Sequence, residues 1–190
     1  MLGRSGILMA GQFAAWSAED KASTLSLSAN LLTVTKASGA ADGNIRGTLG
    51  KTVGKWKFEA TLNAKSVVDY PNIGLANLSA SLTAALGGDS NSIIYVPNTA
   101  NVIFQGANQG AGADTYTTGN TISVEYDGDN HQVNLQKAGS ANRYTFGIAA
   151  LTGPVFPVAG LKPTGDQWTI NFGDSAFSVA PTAGFSAWCF

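Results

Sequence analysis

The amino-acid sequence predicts an all-β protein, an antiparallel sandwich or barrel with a short N-terminal arm. Beyond residue 23 the apolar residues recur with a period of two, which is typical of strands that bury one face. The alternating segments are short and separated by clusters of Gly, Asn and Asp, which favour turns. The arm is assigned to residues 1–23 and a single domain to residues 24–190, long enough to bury one core.

The strands are predicted wherever apolar and polar residues alternate. In chain order these segments are 24–28, 31–35, 45–49, 55–62, 73–76, 92–95, 102–104, 122–126, 132–136, 144–148, 155–159 and 167–172. The clearest is 55–62, in which Trp56 and Phe58 share one face while Lys55 and Lys57 share the other. Residues 79–86 are the one segment with the pattern of a helical turn.

The charge balance restricts the classes of partner. Eleven basic and 12 acidic side chains give a net charge of -1, and charged residues make up 12% of the chain. This is roughly half the ~25% usual in soluble domains, so solubility must come from neutral polar groups. Because nucleic-acid binding depends on neutralising phosphates with Lys and Arg, DNA and RNA are not expected partners. Membrane insertion is not expected either, because no run of about 18 apolar residues is present.

The charges are unevenly distributed along the chain. Residues 1–65 carry eight basic and four acidic side chains, whereas residues 66–136 carry six acidic and no basic ones. One interpretation is that these six carboxylates are solvated in loops and turns. The alternative is an acidic surface that faces the basic N-terminal part of a neighbouring copy.

Few residues suit metal binding or nucleophilic catalysis. One cysteine, Cys189, and one histidine, His131, exclude a disulfide within the chain and sites built from several Cys or His, and no cofactor is expected. His131 follows a predicted turn and is expected to be exposed. In that turn an Asp-Gly pair favours a tight hairpin, and the alternative is a calcium site made by Asp127, Asp129 and Asn130.

Glycoside hydrolysis is an enzymatic alternative, since it requires two carboxylates about 5–10 Å apart. Only Glu125, Asp127 and Asp129 have the alternate spacing that places such a pair on one face of a strand. These residues run into the predicted turn, where we expect them to be solvated rather than set in a cleft. Trp residues could stack on sugars, but Trp56 and Trp168 lie on apolar strand faces and are predicted in the core.

Five motifs in order resemble the SPRY domain. They are GKWKFE at 54–59, NIGLA at 72–76, GNTISV at 119–124, FPV at 156–158 and QWTINFG at 167–173. The closing segment at 177–185 resembles in particular the same segment of the bacteriophage and prophage branch of this family. The resemblance covers residues 24–187 and implies a concanavalin A-like sandwich of two antiparallel sheets without catalytic residues, whose loops bind other proteins.

The resemblance leads to a hypothesis of function. It predicts a non-enzymatic structural protein of a bacteriophage virion, in a head decoration, fibre or tail position. The protein would be made in the bacterial cytoplasm without a signal peptide, because the apolar run at 6–10 is soon interrupted. Its partners would be other virion proteins and copies of itself, with residues 1–23 as a docking arm anchored by Phe13 and Trp16.

The alternative hypothesis is a module that binds a host receptor or glycan through its loops. Asn and Asp side chains suit hydroxyl-rich ligands, although turns favour the same residues. The candidate binding residues are Asp89, Asn91, Asn98, Asn101, Asn108 and Asp114.

Overall fold

The computed structural model describes residues 13–66, 70–110 and 114–190, which form two sheets packed as a sandwich. The strands are β1 (Trp16–Lys21), β2 (Leu25–Leu27), β3 (Thr33–Lys36), β4 (Gly43–Gly47), β5 (Lys55–Ala64), β6 (Asn72–Ala76), β7 (Ser92–Tyr95), β8 (Val102–Phe104), β9 (Ala107–Asn108), β10 (Thr121–Asp127), β11 (Gln132–Lys137), β12 (Tyr144–Gly147), β13 (Phe156–Leu161), β14 (Gln167–Asn171) and β15 (Ser186–Ala187). The first sheet has the order β1-β4-β13-β6-β7-β8-β9, and the second β12-β11-β10-β5-β14-β3-β2. Within the described ranges no helix is long and apolar enough to cross a membrane.

Nearly all neighbouring strands pair antiparallel, and β15 alone among the named strands runs parallel to its neighbour, β5. The predicted all-β sandwich of two antiparallel sheets is therefore confirmed. The alternation of β5 positions its residues as expected, since Phe58 and Leu62 are fully buried between the sheets. Trp168 on the neighbouring strand β14 is fully buried too, whereas Trp56 lies partly buried at the edge of the core.

Trp16 and Trp188 complete the aromatic core from the two ends of the described chain. Trp16 lies in β1, has no exposed surface and meets the ring of Phe172 edge-on at 6.1 Å. Trp188 meets Phe58 edge-on at 5.6 Å. Burying an aromatic side chain of this kind stabilises the fold by about 3 kcal/mol.

The burial of Trp16 corrects one part of the predicted docking arm. This ring packs inside its own domain, so it is not available as an anchor on a neighbouring protein. Because β1 pairs with β4 (Trp16 opposite Gly47), residues 16–21 of the predicted arm belong to the first sheet. Phe13 stays 38% exposed and pairs with Cys189 in a single bridge. Residues 1–12 of the predicted arm lie outside the described residues.

The predicted hairpin turn is confirmed. Strands β10 and β11 pair up to Asp127, which lies opposite Gln132. The Asp127 carboxylate accepts the backbone N–H groups of Asp129 (3.2 Å) and Asn130 (3.1 Å), which closes the turn. His131 follows in the left-handed region, with a φ of 51°, and is exposed as expected.

The predicted helical turn at 79–86 was wrong. These residues belong to an irregular segment, 77–91, that crosses the outer face of the first sheet and that we call the first cover. The side-chain amide of Asn44, on β4, donates to the carbonyls of Ser81 (2.7 Å) and Ala84 (2.8 Å). Because side chains of the sheet bind these carbonyls, the segment does not need helical hydrogen bonds.

Candidate functional site

A cleft opens on the outer face of the first sheet, beside the first cover. It has a volume of about 270 Å³. Its apolar walls are Leu86, Ile94, Val96 and Ile103, of which the first three belong to a small core separate from the main one. Tyr70, Asn72, Thr99 and Asn101 complete the lining. We call this feature the anchor cleft.

Asn72 is the buried polar group of the anchor cleft. It begins β6, and its side chain points outward because the next residue, Ile73, points into the main core. Only 3% of Asn72 is exposed, and within the described part of the chain its Oδ1 accepts no hydrogen bond. Leaving a buried carbonyl unpaired costs about 1–3 kcal/mol. A ligand that donates a hydrogen bond here would recover that cost.

Two of the predicted binding residues lie away from the cleft. Asp89 and Asn91 precede β7, at the end opposite Thr99 and Asn101. The Asn91 backbone N–H and side-chain amide both donate to the Asp89 carboxylate, each at 2.8 Å. This pair closes a turn in the first cover.

The other four predicted residues lie at the end of β7 where the cleft opens. Asn101 lines the cleft, and its Oδ1 accepts a hydrogen bond from Nδ2 of Asn108 at 2.8 Å. Asn98 lies in the same turn as Thr99, and the backbone carbonyl of Asp114 accepts a hydrogen bond from a tyrosine hydroxyl at the end of β7. Of the six residues, Asn101 is therefore the one that lines the cleft, and ligand binding by the others stays a prediction.

The outer face of the second sheet carries a buried ion cluster that the sequence analysis did not predict. Lys57 of β5 is fully buried, and its Nζ lies 3.6 Å from Glu59 Oε1 and 3.9 Å from Glu125 Oε1. Arg143 approaches Glu125 at 2.7 Å. Burial lowers the pKa of Lys57, although the nearby carboxylates oppose this effect. Glu125 is 4% exposed, so the prediction that it is solvated was wrong.

The two carboxylates of this cluster hold residues 174–185, which we call the second cover, against the second sheet. Glu59 accepts the backbone N–H groups of Ser178 and Val179, both at 2.7 Å. Glu125 accepts that of Thr182 at 2.9 Å. Hydrogen bonds to charged acceptors contribute about 1.5–3 kcal/mol each, so the cluster fixes the second cover. Glu125 is thus engaged by its own chain rather than facing an open cleft.

Asp127 is also buried, at 5% exposure, and forms an ion pair with Lys55 at 3.1 Å. Burial raises the pKa of its carboxyl, but hydrogen bonds from Asn130 and Lys55 outweigh this and hold the pKa below the usual value. Two carboxylates of the acidic stretch are therefore neutralised within the chain and do not belong to an acidic surface. Asp69 lies outside the described residues. Among those described, no group of three or more His, Cys, Asp or Glu side chains could hold a metal ion.

The two antiparallel sheets, packed face to face, define the class of all-β sandwich domains. The sequence pattern of the SPRY domain matches residues 55–175, more than half of the chain. The chain therefore belongs to the SPRY domain family. SPRY domains are generally non-catalytic modules that bind other proteins.

Solved structures show the same fold at low sequence identity. The SPRY domain of human HERC1 is 13% identical with a TM-score of 0.74, over 85% of this chain and 100% of that one. A human SPRY domain is 14% identical with a TM-score of 0.62, over 80% of this chain and 98% of that one. Stonustoxin is 14% identical with a TM-score of 0.65, over 84% of this chain and 27% of that one. No curated protein sequence matches this chain.

Proposed function

We propose that this chain is a non-enzymatic module that docks a segment of another protein in the anchor cleft. The observation that carries the proposal is the Oδ1 atom of Asn72, which is buried in the lining of the cleft and accepts no hydrogen bond from any described residue. A segment that packs an apolar side chain against Ile94 and Ile103, and displaces the side chains that cover Asn72 so that a backbone N–H donates to its Oδ1, meets both requirements. Apolar anchors with a few well-placed polar groups are the usual basis of such binding.

Selection of peptides tests this docking function. A displayed library of random peptides is selected against the full chain, and binders are compared between the unmodified protein and Asn72→Leu. Because the Leu side chain keeps the size but not the acceptor, we expect binding to weaken at least tenfold, as loss of one buried hydrogen bond implies. Asn30→Leu, an exposed residue outside the cleft, is the matched control and should bind as the unmodified chain does. Equal affinity for Asn72→Leu and the unmodified chain would refute the docking site.

We further propose that the module serves in a bacteriophage virion, in a head decoration, fibre or tail position, after synthesis in the host cytoplasm. Two features support this: the closing segment at 177–185 resembles the phage branch of the family, and neutral polar residues supply most of the polar surface. The partners would be other virion proteins and copies of the chain. Phe13, which is 38% exposed, is then the remaining candidate for the arm contact.

The virion role has its own test. Phage particles from the source strain are purified on a density gradient and analysed by quantitative mass spectrometry. We expect peptides of this chain at a copy number comparable with that of known structural proteins. Absence of the chain from particles would overturn the virion role, and the docking proposal would still be decided by the peptide experiment.

A further inference from the structure

A row of four threonines crosses the outer face of the second sheet. Thr33 of β3 lies opposite Thr169 of β14, which lies opposite Thr61 of β5, which in turn lies opposite Thr121 of β10. All four are partly exposed. Since neighbouring strands lie about 4.8 Å apart, the row presents hydroxyl groups over about 14 Å.

The hydroxyl groups of this row are hydrogen-bonded in pairs. Thr33 Oγ1 lies 2.7 Å from Thr169 Oγ1, and Thr61 Oγ1 lies 2.8 Å from Thr121 Oγ1. A pair of hydroxyls has two protons and needs only one for its mutual bond, so the second proton and the spare lone pairs can serve a ligand. Asn63 already donates to Thr169 at 2.6 Å. The Thr61–Thr121 pair therefore presents an adjacent donor and acceptor, the complement of two neighbouring hydroxyl groups on a ligand.

A cavity of about 280 Å³ lies over this part of the row. Thr61, Thr121 and Thr169 line it, and residues 174–176 of the second cover form part of its wall. Among the described residues, the exposed carboxylate of Asp174 makes no hydrogen bond or ion pair. Ligand pockets commonly start at about 300 Å³, so this cavity suits one small ring.

We propose that this threonine cavity binds a neutral, hydroxyl-rich ligand, namely one sugar ring of a saccharide. Adjacent sugar hydroxyls exchange hydrogen bonds with the Thr61–Thr121 pair, and a further hydroxyl donates to Asp174. The lining contains two carboxylates, Glu59 and Asp174, and no cationic side chain, which favours a neutral ligand over a phosphate or carboxylate. The cavity lies on the second sheet and the anchor cleft on the first. Either proposal can therefore be disproved without affecting the other.

Titration of the isotope-labelled full chain tests the proposal. Glucose, galactose, mannose and N-acetylglucosamine are added separately to millimolar concentrations, and amide shifts are followed by NMR. We expect saturable shifts at Thr61, Thr121 and Asp174 with at least one sugar. Absence of saturable shifts with all four sugars would overturn the proposal.

Variants of Thr61 supply the controls. Thr61→Val keeps the branched shape but removes the hydroxyl, so affinity should fall at least tenfold. Thr61→Ser keeps the hydroxyl and should bind nearly as well as the unmodified chain. Thr35→Val, outside the cavity on the same outer face, should change nothing. If Thr61→Val does not fold, Asp174→Asn takes its place, and undiminished binding in the folded variant contradicts the proposal.

Discussion

The outer faces of the two sheets are covered in opposite ways. On the first sheet, side-chain donors hold the cover by its carbonyls: Asn44 and Arg46 each donate to two backbone carbonyls of the first cover. On the second sheet, carboxylate acceptors hold the cover by its N–H groups, through Glu59 and Glu125. The first cover is thus held by one neutral and one cationic donor, and the second by two anionic acceptors.

The two covers also differ in the ion pairs that accompany them. The carboxylates of the second sheet require cations beside them, and Lys57 and Arg143 are buried or partly buried for that purpose. Within the described residues, the first cover is accompanied by one ion pair, between Arg46 and Asp20 at 2.5 Å, and Asn72 Oδ1 accepts no hydrogen bond. The ion cluster of the second face therefore stabilises the fold, whereas the Oδ1 acceptor of Asn72 on the first face stays unsatisfied within the described residues.

The largest effect is expected from Lys57→Ala. This change leaves two buried carboxylates without their shared cation, and breaking a buried ion pair in this way costs about 3–5 kcal/mol. The free energy of unfolding is measured by urea denaturation followed by Trp fluorescence. Lys137→Ala, whose Nζ is bound only to an exposed carbonyl, should cost no more than about 1 kcal/mol. Equal costs for the two variants would show that the ion cluster does not fix the second cover.

A smaller loss is expected from Arg46→Met, which releases the first cover. Its side chain donates twice to the Asp20 carboxylate, at 2.5 and 2.8 Å, and also to the carbonyls of Ala80 (2.7 Å) and Asn77 (3.2 Å). We expect a cost of about 2–3 kcal/mol, because Asp20 is partly exposed and water can hydrate it after the change. Hydrogen exchange should accelerate at residues 77–91 and not at 174–185. Acceleration in both covers would contradict their independence.

Asn72→Leu should weaken peptide binding without lowering the free energy of unfolding. Because its Oδ1 is unpaired, the apolar replacement should leave the free energy of unfolding unchanged or raise it by about 1 kcal/mol. Asn44→Leu is the matched control, since its amide is used twice, and it should cost about 2 kcal/mol. The free energy of unfolding of both variants is measured by urea denaturation. A comparable decrease in the two variants would mean that Asn72 stabilises the fold, as Asn44 does.

The sequence was sufficient for most of the strands and for their inward faces, because both depend on local alternation, but it did not predict β1, β9 or β15. In β5 the inward position of Phe58 follows from its neighbours alone. The burial of Lys57 does not, because its partner Glu125 is brought near by the pairing of β5 with β10. Trp16 was wrongly assigned to the docking arm for a related reason. It is the only fully buried residue of β1, an edge strand, so β1 shows no alternation of apolar and polar residues that would mark it as a strand. The unpaired state of Asn72 likewise depends on the packing of distant segments.

The smallest effect is expected at low pH. Because carboxylates hold the second cover, protonation should destabilise the second sheet before the first. Although burial raises the pKa of Asp127, hydrogen bonds from Asn130 and Lys55 hold it below the usual value of 3.8. The unfolded carboxyl therefore takes up a proton at higher pH than the folded one. Its contribution to stability is present above the usual pKa and is lost as the pH falls through the folded pKa.

Asp127→Asn removes this contribution at every pH. Between about pH 5 and pH 2 the free energy of unfolding should therefore fall more steeply in the unmodified chain than in the variant. The difference should stay below about 1 kcal/mol, because the Lys55 side chain is 37% exposed and solvent screens the pair. Urea denaturation at several pH values measures it. Parallel pH profiles for the two chains would mean that the Asp127 carboxylate does not contribute to the acid sensitivity of the second sheet.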